Sequence, residues 1–234
     1  MDIVFETFKR IGTNPQDYLP SKSIWLFRHF LAGYSVRSSM EGSDSGLGPL
    51  FRPFEAWLRQ RFSLTGGSQS VYQIISSYST DPANAFDNFF QLFDEFRQGL
   101  DPKTVTFEDN RFRPAKIGLI ELLRSIRVRP ELYVGYPHFA GVFAYLSGHE
   151  RAGRDLGVPL SDDEFFYDEF KRWVSDVRLP GGNSRPWFKL IEYYSFQDCG
   201  TGTASAYRVF FDLLDEFAEL HGWKGLFQAA EQMP

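Results

Sequence analysis

Few side chains in this chain are equipped for chemistry, and their spacing narrows what they can do. Its four histidines, His29, His138, His149 and His221, include no two placed four apart, the spacing that sets a pair of metal ligands on one helical face. The single cysteine, Cys199, cannot build a thiolate cluster, so no metal ligand set and no cofactor are expected. His149-Glu150 begins like the zinc-protease helix signature but lacks its second histidine, and it reads as a helix end on the surface. Cys199 lies in Gln197-Asp198-Cys199-Gly200-Thr201-Gly202-Thr203. A phosphate cradle there would want a lysine after its glycines and a strand before them; the stretch reads instead as a loop whose Thr201 or Thr203 caps the next helix. No nucleophile–base constellation accompanies Cys199 or any histidine, so none of them is expected to be catalytic.

Carboxylates are the remaining candidates. Asp162, Asp163, Glu164, Asp168 and Glu169 form the densest acidic run, and three readings stay open for it. A helix start favours acidic side chains through its dipole alone. Paired carboxylates do acid/base work when burial separates their pKa values. An exposed acidic face can also recognise a basic protein partner. Charge is unevenly placed: residues 1–98 carry 10 acids and 9 bases, and residues 117–234 carry 17 acids and 12 bases. Neither the net charge of −5 nor any local run supplies the basic stripe of a nucleic-acid binder. Partner binding is therefore assigned to Asp162, Asp163, Glu164 and Asp168, with Glu108 and Asp109 as weaker candidates.

The elements that must position these residues occur twice. Residues 3–34 align without a gap on 118–149, pairing Glu6 with Glu121, Ile11 with Ile126, Pro15 with Pro130, Tyr18 with Tyr133, Leu31 with Leu146 and Gly33 with Gly148. Phe54 and Trp57 then match Phe170 and Trp173, and Ile75, Tyr78 and Ser79 match Ile191, Tyr194 and Ser195. Residues 83–96 match 204–217 with eight identities in 14 positions. The register slips only in loop-like stretches, where insertions are tolerated. Self-similarity at a fixed period is the mark of a repeated structural unit. The expected organisation is a helical unit over 1–98, a connector over 99–116, and a second helical unit with a C-terminal extension over 117–234.

Apolar residues in both units recur at three and four, and strand-like alternation is scarce, so each unit reads as roughly five helices. The first unit is expected to begin with a helix stopped at Gly12 and an extended Asn14–Pro20 segment. Ser21 and Ser68 are the expected caps of its second and fourth helices, Pro53 opens the third, and Asp81-Pro82 opens the fifth. In the second unit, helices are expected over 119–126, 136–150, 161–177, 184–194 and 203–220. The fold class is therefore all-α, a tandem duplication related by a pseudo-two-fold. The core must be largely aromatic, since the chain holds 25 Phe against 3 Met and stiff rings impose defined packing. Trp57 and Trp173 are placed in that core.

No apolar run approaches the roughly 20 residues that span a bilayer, and the start of the chain lacks the basic region of a signal peptide. With one cysteine there is no intrachain disulfide. The expectation is a cytoplasmic protein with no membrane or nucleic-acid partner.

The second unit resembles small helical bacterial proteins encoded beside polymorphic or contact-dependent toxins. These open on Arg-Pro-x-x-Tyr-Leu-Gly, matched by Arg129, Pro130, Tyr133, Val134 and Gly135. They continue to a helix ending near Leu-x-Gly-Tyr, here Leu146-Ser147-Gly148-His149, and close on a helix matched by Ala206 to Phe217. The first unit departs further, with Asn14 for the arginine and Pro20 for the glycine, although Leu31-Ala32-Gly33-Tyr34 is nearer the pattern than Leu146-Ser147-Gly148-His149. The resemblance implies a helical fold and an immunity protein that neutralises a cognate toxin domain. It transfers no functional residue. The alternatives are an enzyme using carboxylates of the 162–169 run, or a structural or regulatory adaptor.

Overall fold

The structure, a computed structural model, describes residues 2–41, 47–99, 117–158, 164–178, 186–199 and 202–222. Every regular element among them is helical. In chain order these are α1 (Asp2–Thr13), a 3-10 turn (Pro15–Asp17), α2 (Ile24–Met40), α3 (Leu47–Arg61), α4 (Val71–Ser77) and α5 (Pro82–Gln98). They are followed by α6 (Leu119–Val128), α7 (Glu131–Val134), α8 (Phe139–Leu156), a helical run α9 over 164–178, α10 (Trp187–Cys199) and α11 (Gly202–Leu220).

Local chemistry accounts for most of these boundaries. Asp81 caps α5, its carboxylate accepting from the backbone nitrogens of Ala83 at 2.8 Å and Asn84 at 2.9 Å, with Pro82 in the first turn. Gly157, left-handed at φ 65°, stops α8. Some boundaries differ from the sequence reading. α4 starts behind Ser70, not Ser68, because Gln73 Oε1 reaches back to the Ser70 backbone nitrogen at 2.9 Å. α2 starts behind Ser23, not Ser21. Pro53 lies inside α3, and the Asn14–Pro20 segment is not extended throughout but makes the short Pro15–Asp17 turn.

Two apolar clusters form the interior. One gathers Phe8, Phe27, Phe30, Phe54, Phe86, Phe89 and their neighbours from residues 8–96. The other gathers Leu122, Phe139, Phe166, Phe170, Phe210 and their neighbours from 119–218. Their rings meet in matching ways. Phe54 stacks on Trp57 at 6.1 Å, and Phe170 on Trp173 at 6.2 Å. Phe54 meets Phe89 edge-on at 5.7 Å, and Phe170 meets Phe210 edge-on at 6.0 Å. Tyr18 stands at 89° to Phe30, and Tyr133 at 88° to Tyr145.

The clusters are joined by α2 and α8, which run parallel along one seam. His29 faces His138 near its start, Gly33 lies against Tyr145 and His149, Gly148 against Phe30 and Tyr34, and Gly153 against Arg37 near its end. The approach is close enough that a methyl group on Gly33 would overlap the Tyr145 carbonyl oxygen. One on Gly148 would overlap that of Phe30. Across the seam, Ala32 and Val36 of α2 pack on the second cluster, and Ala140, Ala144 and Ala152 of α8 pack on the first.

Candidate functional site

Helix α9 carries what is visible of the acidic run. It is wound wide, with π turns over Glu164–Phe170 and Val174–Arg178 on either side of Lys171–Trp173. This puts Phe166, Phe170 and Val174, four residues apart, into the core. Asp168 and Glu169 are left exposed on the opposite side. Lys171 anchors the helix to α8 by an ion pair to Glu150 at 2.8 Å and lies 4.7 Å from the Tyr167 ring centroid. Asp168 and Glu169 enter no ion pair or side-chain hydrogen bond among the described residues. Asp162, Asp163, Glu108 and Asp109 lie outside the described residues, and Glu164 is described only through its backbone at the start of the helix.

Most of the buried polar groups are elsewhere, along the seam, and sequence spacing gave no sign of them. At its C-terminal end Asp155 of α8 receives the Thr7 hydroxyl at 2.9 Å, the Tyr34 hydroxyl at 3.2 Å and Arg151 at 2.6 Å. Burial and the Asp155 carboxylate together raise the Tyr34 phenol far above its ordinary range. Arg37, fully buried, donates to the Val158 carbonyl and lies 3.8 Å from Glu41.

His149 is fully buried in mid-helix, not exposed at a helix end as the sequence reading held, because α8 continues past Glu150 to Leu156. The Tyr167 hydroxyl donates to the Leu146 carbonyl at 3.1 Å and accepts from His149 Nδ1 at 3.1 Å. Nε2 therefore carries the lone pair, buried and without a partner. Desolvation, with Arg37 adding to it, pushes the imidazole down to about 3.

At the other end of the seam His29 of α2 meets His138, the residue that precedes α8, with ring centroids 5.5 Å apart. Burial and the neighbouring His138 push His29 down to about 4, and burial lowers His138 as well. Among the described residues no three His, Cys, Asp or Glu side chains converge as a metal set would. Cys199 is the last residue of α10, described through its backbone. Gly66 and Gly67 both take positive φ, 79° and 98°, as a link between helices requires. Trp57 and Trp173 are partly buried against their cores. No described helix is long and apolar enough to cross a membrane.

No protein-family model matches the chain, and neither a characterised protein nor a solved structure matches it.

Proposed function

We propose that this chain is an immunity-type protein that acts in the cytoplasm, binding a cognate toxin domain and blocking its active site or its access to substrate, without catalysis of its own. The observation that carries the reading is the pair Asp168 and Glu169, exposed and unpaired among the described residues on a helix locked to the core by Phe166, Phe170 and Val174. Toxin domains that act on nucleic acids or nucleotides need basic clefts, and anionic groups on a rigid face speed association with such a cleft and favour the correct partner. The proposal includes Asp162, Asp163 and Glu164, which precede Asp168 in the same acidic run of the sequence, with Glu108 and Asp109 of the connector as weaker candidates. The resemblance of Arg129–Gly135 and Ala206–Phe217 to immunity-type proteins points the same way.

The same proposal takes the chain as a tandem duplication, unit 1–98 and unit 117–234 related by a pseudo-two-fold. Its support is the matched ring geometry at Phe54/Phe170, Tyr18/Tyr133 and the reciprocal glycine contacts at Gly33/Gly148.

Co-expression tests the function. A toxin domain encoded by the neighbouring reading frame should kill cells alone and spare those that also express this chain; equal killing in both would dismiss the reading.

A further inference from the structure

Helical spacing excludes a histidine pair within one helix, but the fold brings two together from different elements. His29 comes from α2 and His138 from the residue capping α8, and their rings stand 5.5 Å apart at 64° to each other. A nitrogen ligand sits about 2.0–2.1 Å from a zinc-like ion, which puts its ring centroid roughly 3.2 Å away. Two imidazoles sharing one ion at tetrahedral to trigonal angles then lie about 5 to 6 Å apart. The observed separation falls in that interval.

His138 is also held as a metal-ligating histidine is. Its Nδ1 lies 2.9 Å from the Tyr136 carbonyl oxygen, which can only accept, so Nδ1 carries the proton and Nε2 the lone pair. Tyr136 stacks on the ring at 4.0 Å and 17°, fixing its plane. Gly141, one turn into α8, leaves room for the imidazole, because a Cβ there would overlap its Cε1 and Nε2. His29 makes no hydrogen bond among the described residues.

We propose that His29 and His138 form a two-histidine site for a borderline divalent cation of the zinc, nickel or copper class, clipping the two halves of the chain together where α2 and the start of α8 meet. Imidazole suits these ions, whereas magnesium and calcium demand oxygen ligands. Water completes the coordination, so the ion is exchangeable and the clip responds to metal supply.

The test uses the full chain freed of metal with a chelator. Adding zinc or nickel alone should raise the thermal midpoint in a saturable way that magnesium does not reproduce, and copper(II) should give an electron paramagnetic resonance spectrum split by two nitrogens. His29→Gln and His138→Gln should each lose the rise and the two-nitrogen signature, and Gly141→Ala, which keeps both histidines, should lose them by displacing the His138 ring. His221→Gln and Cys199→Ser should keep both. Wild type with no saturable shift, or His29→Gln responding as wild type does, would overturn the site. The copper spectrum decides the matter even for a variant whose stability alone has changed.

Discussion

Residues 8–96 and 119–218 pack several of their rings alike, yet the two sides of the seam between them are wired differently. Tyr34 and His149 sit at matching positions, each against the other helix's glycine. Tyr34 sends its hydroxyl across the seam to Asp155, while His149 turns back into its own half to Tyr167. Arg37 has Ala152 as its counterpart, and Ser23, which caps α2, has His138, which caps α8. Close-packed rings leave little room for change, since altered volume costs stability directly. Polar groups on a seam can be exchanged so long as each new set is satisfied. On the proposed duplication, the two halves would share ring packing at these positions and differ at their junction.

The largest effects should come from the shared plan. Phe89 and Phe210 are both fully buried, so Phe89→Ala and Phe210→Ala should each cost about 3–5 kcal/mol from transfer and cavity terms. Denaturant melts should give similar losses for the two; a loss confined to one would break the equivalence of the cores.

The seam glycines come next. Gly33→Ala and Gly148→Ala push a methyl into a backbone carbonyl that has little freedom to yield, at a cost of about 1–3 kcal/mol or more each. This occurs despite the better helix propensity of alanine. A stabilised Gly33→Ala in the same melts would mean that the helices are further apart than described.

Acid should sharpen the difference between the two sides. In the unfolded chain the imidazoles take up a proton near 6.5, whereas folded His29 does so only at about 4 and His149 at about 3. The unfolded state binds more protons in that window, so stability is whole above pH 6.5 and falls as the pH drops toward 4 and then 3. Substituting His149→Gln should flatten the lower part of this decline, measured as unfolding free energy against pH. A slope unchanged in the variant would show that His149 is not held neutral.

Much of this fold is legible in the sequence for identifiable reasons. Asp81-Pro82 announces α5 because a short acceptor and a fixed φ act locally. The spacing of Ala85, Phe89, Leu92 and Phe96 likewise points to its inner face, although Leu92 is only partly buried and Phe86 and Phe93 are buried beside it. The end of α8 is less legible, since Glu150-Arg151 resembles a polar boundary and only Gly157 stops the helix. The misreading of His149 follows from that. The π turns of α9 have no sequence signal, although Phe166, Phe170 and Val174 do repeat at four. Least legible is whatever depends on two helices meeting. His29 with His138, and Asp155 with Thr7 and Tyr34, are far apart in sequence, and no spacing rule within one element can find them. Of the acidic run, Asp168 and Glu169 are exposed as a solvated or partner-binding face requires.

The smallest effect on stability and the greatest on function should come from that face. Asp168→Lys with Glu169→Lys alters exposed side chains and should leave the melt within about 0.5 kcal/mol of wild type. The most direct measurement of the central claim is the association rate constant of the chain with the toxin domain encoded beside it, taken at low and at high ionic strength. Wild type should associate fast and slow down as salt screens the attraction, and the double variant should associate slowly with little response to salt. A double variant that binds as fast as wild type at both ionic strengths, and still protects cells from the toxin, would contradict the assignment of α9 as the binding face.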